Sequence, residues 1–302
     1  MFKPLLSPNE DPLKRPTFFK DIAKHLPLLC SFKLDGIRNI TKAGACKSRT
    51  FKDLPNKEMQ AYFSKYQELD SEMIDGCPHD ADVYNRTQST VMSADKPADR
   101  LAMYVFDYAL ESAANWAYVD RLKAASDYVA KMDDPRLILL EQTLCHTLEE
   151  VYAFEEKALA MGFEGIMMRS AKGRYKHGRA TFNEGIIYKL KRFEDIEGIL
   201  VSIEEKMTNN NEAFLDELGK TKRSQSMENK VGAGTAGRFL VKFDHGIENV
   251  GPGKLTHAQL QEIWDAQEQY MGSIFKVRHF PVGRKDKLRM GRVEGFRNKM
   301  DM

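Results

Sequence analysis

The sequence predicts an α+β protein in two parts: antiparallel sheets covered by helices, then a smaller unit dominated by strands. Three observations carry this. Strand-length apolar runs alternate with segments of helical period through the first two-thirds of the chain. Capping signatures stand ahead of two helical runs, at Thr147 with Glu150 and at Thr256 with Gln259. After Phe193 the character changes, and strands flank a polar, glycine-bearing stretch.

In order along the first part, strands are predicted over 28–40, 102–110, 137–141, 165–169 and 186–193. Leu122, Ala125, Val129 and Met132 recur at the spacing of one buried helical face, which predicts a helix over 117–132. The Thr147 cap precedes Val151, Phe154 and Ala158, a second helix. The acidic pair Glu194-Asp195 marks a boundary, which divides the chain into domains 1–194 and 195–302. Beyond it come a strand over 198–203, a polar stretch over 208–237 with Gly232, Gly234 and Gly237, a strand over 238–243, the Thr256 helix and a strand over 273–280. A strand-rich unit of this size with one helix fits a five-stranded β-barrel of the OB type.

Composition narrows the class. The 302 residues are 42% hydrophobic and 30% charged, with no apolar run of membrane-spanning length. The N-terminal segment lacks a secretory pattern, so a cytoplasmic protein is predicted. Four cysteines, Cys30, Cys46, Cys77 and Cys145, stand apart with no C-x-x-C pair, which reads as reduced thiols and excludes a four-cysteine zinc module. Net charge is only +2. A nucleic-acid role therefore needs clustered rather than bulk charge. Clusters occur at Lys220-Thr221-Lys222-Arg223, at Lys189, Lys191 and Arg192, and between Arg284 and Lys299.

The chemistry starts at Lys33-Leu34-Asp35-Gly36-Ile37-Arg38. Alternation places Lys33 and Asp35 on one strand face and Phe32 and Leu34 on the other, with Gly36 allowing a sharp turn before Arg38. Two cations and a carboxylate in one small volume suit phosphate handling, although the hexapeptide alone reads equally well as a surface hairpin. Further segments follow. Ser48-Arg49 comes after the first hairpin, and Glu72 lies in the apolar run Leu69 to Ile74. Phe106-Asp107 ends a hydrophobic strand, and Glu164-Gly165 opens an apolar one that runs to Arg169. Lys189 and Lys191 share one face of a strand, because the side-chain period is two. Met167 and Met168 read as core packing.

These six segments, in this order and at these spacings, resemble the covalent nucleotidyltransferase superfamily, and among its members the short ATP-dependent DNA ligases of bacteriophages. The resemblance spans about 160 residues of an adenylation (nucleotidyltransferase) domain and implies an OB domain after it. It implies ATP and Mg²⁺ as cofactors, nicked duplex DNA as partner and a monomeric enzyme. By the same resemblance Lys33 is the nucleophile that takes AMP from ATP. Phe106 stacks on adenine, Glu72 accepts from a ribose hydroxyl, Arg38 contacts the nucleotide, and Lys189 and Lys191 grip the α-phosphate. Arg49 meets the ATP phosphates or the 5′-phosphate of the nick, and Glu164, Glu72 and Asp35 hold Mg²⁺. Lys220, Lys222 and Arg223 track DNA phosphates.

A free lysine is neutral in roughly one molecule in a thousand at neutral pH. Arg38, Lys189 and Lys191 are therefore expected to lower the Lys33 pKa. Two departures from the family stand out. Position 31 is serine, where several relatives carry a glutamate near the adenine, and the family's C-terminal R-x-D-K motif is only approximated, by Arg284-Lys285-Asp286-Lys287 and by Phe296-Arg297-Asn298-Lys299. The rival readings are an RNA ligase or an RNA capping guanylyltransferase with the same lysine chemistry, and a non-catalytic nucleic-acid-binding protein on a ligase scaffold.

Overall fold

The computed structural model describes residues 2–9, 15–281 and 287–297, and the chain divides into two compact units, Met1–Lys191 and Arg192–Met302. The first unit runs α1 (Phe18–Ala23), β1 (Leu28–Phe32), β2 (Ile37–Lys42), β3 (Ala45–Lys47), α2 (Lys57–Phe63), β4 (Leu69–Asp75), α3 (Val83–Val91) and β5 (Leu101–Tyr108). It continues through α4 (Tyr118–Met132), β6 (Leu137–Leu139), β7 (Thr143–Cys145), α5 (Leu148–Ala160), β8 (Gly165–Ser170) and β9 (Ile187–Lys191).

Two sheets result, one in the order β7-β1-β8-β9 and one in the order β3-β2-β4-β5-β6. All pairs are antiparallel except β5 with β6, which is parallel. The first sheet turns Leu28, Cys30, Ile166, Met168, Tyr188 and Leu190 onto a core shared with Phe18 and Ile22 of α1 and Val151 and Ala158 of α5. Because side chains alternate across a strand, its other face carries Ser31, Met167, Lys189 and Lys191. The second sheet packs Leu69, Met73, Met103 and Val105 against Met59, Phe63 and Ala125.

The single strand expected over 28–40 is instead two. β1 belongs to one sheet and β2 to the other, and Lys33 to Gly36 make the crossing. Gly36 lies at the bend between them, as expected, and also serves close approach: a Cβ there would meet the Met73 carbonyl oxygen at 2.2 Å. The helix over 117–132 forms as α4 and ends on Asp133 in the left-handed region (φ 46°). Its buried face is Tyr118, Arg121 and Ala125, so a charged residue occupies a place the apolar pattern had assigned to Leu122. Thr147 caps α5 by accepting from the Glu150 amide at 3.2 Å.

The second unit comprises β10 (Glu194–Asn209), β11 (Ala213–Leu215), β12 (Thr221–Arg223), β13 (Lys230–Phe243), β14 (Gly246–Val250), α6 (His257–Asp265), α7 (Gln267–Tyr270), β15 (Ile274–Phe280) and β16 (Arg289–Arg297). Five strands pair in the order β14-β13-β10-β15-β16. The two edges then meet in a parallel bridge, Gly251 with Arg292, with Gly251 donating to the Gly291 carbonyl and Val293 to the Gly251 carbonyl, both at 3.0 Å. That closes the sheet around Leu200, Phe239, Val241, Phe275, Val277 and Val293, the OB architecture the sequence predicts. The Thr256 capping box on α6 is formed in both directions.

The polar stretch over 208–237 differs from expectation, because β10 and β13 extend into it as a paired ribbon reaching Asn209 and Lys230. The small β11–β12 hairpin lies within it. Backbone pairing organises this ribbon without an apolar face, so periodicity leaves no trace of it in the sequence.

Candidate active site

Lys33 stands just past the end of β1, where its amide donates to the Gly165 carbonyl at 2.9 Å. The pairing register sets Ser31 opposite Met167 and Met167 opposite Lys189, while Gly165 faces Lys191. Gly165 has φ 146°, and a Cβ there would meet the Leu190 carbonyl oxygen at 2.1 Å. Only glycine lets β8 begin this close to β9, and the residue before it, Glu164, is thereby held under the sheet's end, 5% exposed. Lys33 Nζ donates to Glu164 Oε2, and Lys191 Nζ donates to Oε1 of the same carboxylate at 3.3 Å.

This pairing reverses the expected effect on the nucleophile. Burial depresses the Lys33 pKa, but Glu164, with Glu72 and Asp35 behind it, outweighs burial and raises it. The cations expected to lower it have carboxylate partners of their own: Lys191 holds Glu164, and Arg38 holds Asp70. The depression falls on Lys189 instead, which burial, Lys191, Arg179 and Lys33 bring down to about 8. Glu72 is pushed up to about 7, chiefly by burial and further by Asp35 and Asp70, against the pull of Arg38 and Lys33.

Arg38 forms a fork with Asp70, Nε to Oδ1 and Nη2 to Oδ2, each at 2.5 Å. Its Nη2 also donates to the Leu5 carbonyl at 3.1 Å, and the Tyr175 hydroxyl donates to Asp70 at 2.7 Å. The Arg38 guanidinium lies 4.8 Å from the Phe106 ring centroid, and Arg169 lies 5.0 Å from the same ring. Phe106 reaches this position through a β-bulge. Asp70 pairs with Asp107 and Ser71 with Val105, leaving Phe106 as the extra residue. The bulge brings the adjacent Phe106 and Asp107 both to Arg169, which donates to Asp107 at 2.5 Å. Asp107, fully buried, also accepts from Arg121 at 2.8 and 3.2 Å.

Lys33, Asp35, Arg38, Glu72, Phe106, Glu164, Lys189 and Lys191 all fall on or beside these facing strands. Arg49 is exposed in the turn after β3. In the second unit Lys220 and Arg223 are exposed, Lys222 Nζ is 3.0 Å from the Asp216 carboxylate, and Arg223 donates to the Asn211 carbonyl. Of the C-terminal basic pair, Arg284, Lys285, Asp286, Asn298 and Lys299 lie outside the described residues.

Sequence reasoning passed over Asp70, Arg121 and Tyr175, and left Asp107 and Arg169 without roles although both stand inside the quoted segments. It placed both methionines in core packing, and both pack so: Met168 is buried in the first core, and Met167, half-buried on the opposite face, packs against a second cluster that includes Tyr175 and Ile187. Among the described residues no three His, Cys, Asp or Glu side chains form a ready metal cage, and no helix is long and apolar enough to cross a membrane.

A half-buried lysine paired to a buried carboxylate, beside two further lysines, in a unit followed by an OB barrel, defines a nucleotidyltransferase. The sequence profile described as ATP dependent DNA ligase domain matches residues 17–191, more than half of the chain, and the chain belongs to that family. Among solved structures, Chlorella virus DNA ligase-adenylate is 27% identical, with 99% of this chain and 99% of that one covered and a TM-score of 0.54. A Lig E DNA ligase is 19% identical over 90% and 93% of the two chains, with a TM-score of 0.68. The ATP-dependent DNA ligase of bacteriophage T7, in complex with ATP, is 13% identical over 98% of each, at 0.51. These last two share the fold. No curated protein sequence matches the chain. The activity is that of the family, ATP-driven joining of DNA.

Proposed function

We propose that this ligase seals nicks with 3′-OH and 5′-phosphate ends in duplex DNA, carrying AMP first on Lys33 and then on the 5′-phosphate. The observation that supports this most is the Lys33–Glu164 pair on the strand face that also presents Lys189 and Lys191. Lys33 Nζ forms a bond to the α-phosphorus of ATP as the bond to the β-phosphate oxygen breaks, and pyrophosphate leaves. The ammonium must first lose a proton, and Glu164 Oε2 is the acceptor already in contact with it. Lys189 and Lys191 offset charge gathering on the α-phosphate. The 5′-phosphate of the nick then displaces Lys33 to give a DNA-adenylate, and the 3′-OH displaces AMP.

In the nucleotide, Phe106 stacks on the adenine, Glu72 accepts from the ribose, and Arg38, fixed by Asp70, faces the same site. Arg49 meets phosphate of ATP or of the nick. Residues 1–194 form the adenylation domain and residues 195–302 the DNA-binding domain, where Lys220, Lys222 and Arg223 contact the backbone. Glu164, Glu72 and Asp35 are hard oxygen donors of the kind Mg²⁺ takes when it keeps its waters and shares substrate phosphates, which needs no complete protein cage. Bound there, the ion supplies positive charge against the triphosphate and the carboxylates. The enzyme acts as a cytoplasmic monomer.

Incubation with α-labelled ATP and Mg²⁺ tests the reading. A covalent adduct that is lost in Lys33→Ala supports it, and no adduct on the wild-type chain sinks it. A nicked duplex sealed only when both nick-bordering strands are DNA supports the substrate; preference for RNA strands overturns it.

A further inference from the structure

Gln142 is held in an unusual way. Its Nε2 donates to the Leu140 carbonyl at 3.3 Å, while its Oε1 is buried and, among the described residues, has no hydrogen-bond partner. A buried amide oxygen without a donor costs on the order of 1–3 kcal/mol, so such atoms call for an explanation. The Leu140 carbonyl assigns the amide orientation, because reversing it would turn an acceptor toward another acceptor.

Its place in the fold supplies the explanation. β7 and β1 pair Cys145 with Leu28, Leu144 with Leu29 and Thr143 with Cys30. Gln142 immediately precedes Thr143, the last paired residue of β7, and Ser31 immediately follows its partner Cys30, so continuing the register would set the two opposite. Cys145, Leu28 and Cys30 point into the core, so alternation turns Gln142 and Ser31 to the opposite face, the one bearing Met167 and Lys189. Ser31 is 4% exposed. The same segment is tied to the strand of Phe106, because the Leu140 amide donates to the Val105 carbonyl at 2.7 Å. The segment of Gln142 thus runs from the strand of Phe106 to β7, the neighbour of the nucleophile's strand. From Lys33 the site lies about 7 Å back along β1 and about 5 Å across to the next strand, a reach comparable to the ribose between a phosphate and its base.

We propose that Gln142 Oε1 reads the 6-amino group of adenine, making it the residue that favours ATP over nucleotides with oxygen or hydrogen at that position. A fixed acceptor pairs with an amino N–H, repels the 6-oxo oxygen of guanine, and is left unpaired by a base with only hydrogen there. The inference rests on the reading that Lys33 takes a nucleotide on this face.

The test compares rates of Lys33 adduct formation with ATP, purine riboside triphosphate and GTP. In the wild type ATP outpaces purine riboside triphosphate by about tenfold, and GTP is slower still. Gln142→Met brings the ATP to purine riboside ratio to near one while leaving the purine riboside rate within about twofold. Gln142→Glu, which keeps an acceptor, retains the preference for ATP and stands in should the methionine variant not fold. A wild-type ratio of one, or a ratio unchanged in Gln142→Met, overturns the assignment. Adduct formation with altered or unaltered ratios bears only on Gln142, whereas no adduct with any triphosphate would overturn the Lys33 reading as well.

Discussion

Lys33 and Lys191 share one carboxylate, Lys33 on Oε2 of Glu164 and Lys191 on Oε1. The nucleophile is therefore kept protonated by the group nearest to it, and reactivity depends on loosening that pair. The carboxylate favours the ammonium, so removing its charge lowers the Lys33 pKa and enlarges the neutral fraction at any given pH. Single-turnover adenylation of Glu164→Gln should show its acid limb shifted to lower pH than in wild type, even as the maximum rate falls with the loss of a metal donor. An unmoved limb would show that another group governs the lysine.

Lys189 reads in the opposite sense. Its folded pKa of about 8 lies below the ordinary lysine value, so folding binds its proton less tightly than the unfolded chain does. The charged form then destabilises the fold, fully below pH 8, less as pH rises, and not at all above about pH 10.5. Lys189→Met should therefore gain more stability over wild type at pH 6.5 than at pH 10.5, by an amount that solvent screening of this half-buried group reduces. Paired thermal denaturation at the two pH values checks the difference.

Asp107 anchors two buried guanidinium groups, whereas Arg49 is exposed in a turn. Asp107→Ala leaves Arg121 and Arg169 buried without their carboxylate, a loss of about 3–5 kcal/mol and of about 10 °C in Tm. Arg49→Ala should stay within about 0.5 kcal/mol of wild type while slowing nick sealing. Equal melting temperatures for the two variants would contradict the network.

The fork between Arg38 and Asp70 is braced by the Tyr175 hydroxyl. Tyr175→Phe removes one bond to a charged acceptor, at a cost of about 2 kcal/mol or about 5 °C. Asp70→Asn should cost more, and should also slow Lys33 adenylation because Arg38 is released from beside Phe106. Adenylation at the wild-type rate in Asp70→Asn would show that Arg38 needs no such support.

Much of the site was legible because its chemistry is written in short segments. The lysine and its following glycine and arginine form one contiguous segment, and Lys189 and Lys191 lie where period two places them. Legibility failed where pairing partners matter. Nothing local marks Asp70 or Tyr175 as the support of Arg38, since 32 and 105 residues separate the partners of Asp70 from it in the chain. The bulge at Phe106 depends on β4 matching β5 with one residue too many, so simple alternation would have put Phe106 and Asp107 on opposite faces. Arg121 was hidden because a buried charge is invisible to an apolar pattern.

By itself the sequence determined the two-part α+β organisation, the strand-rich second unit and the residues able to do the chemistry, because periodicity, capping and spacing are local properties. Tertiary structure alone decided the protonation balance at Lys33. That balance is a sum of burial and charges brought from β4, from the crossing after β1 and from the start of β8, and the sign of such a sum depends on distances that only the folded chain fixes.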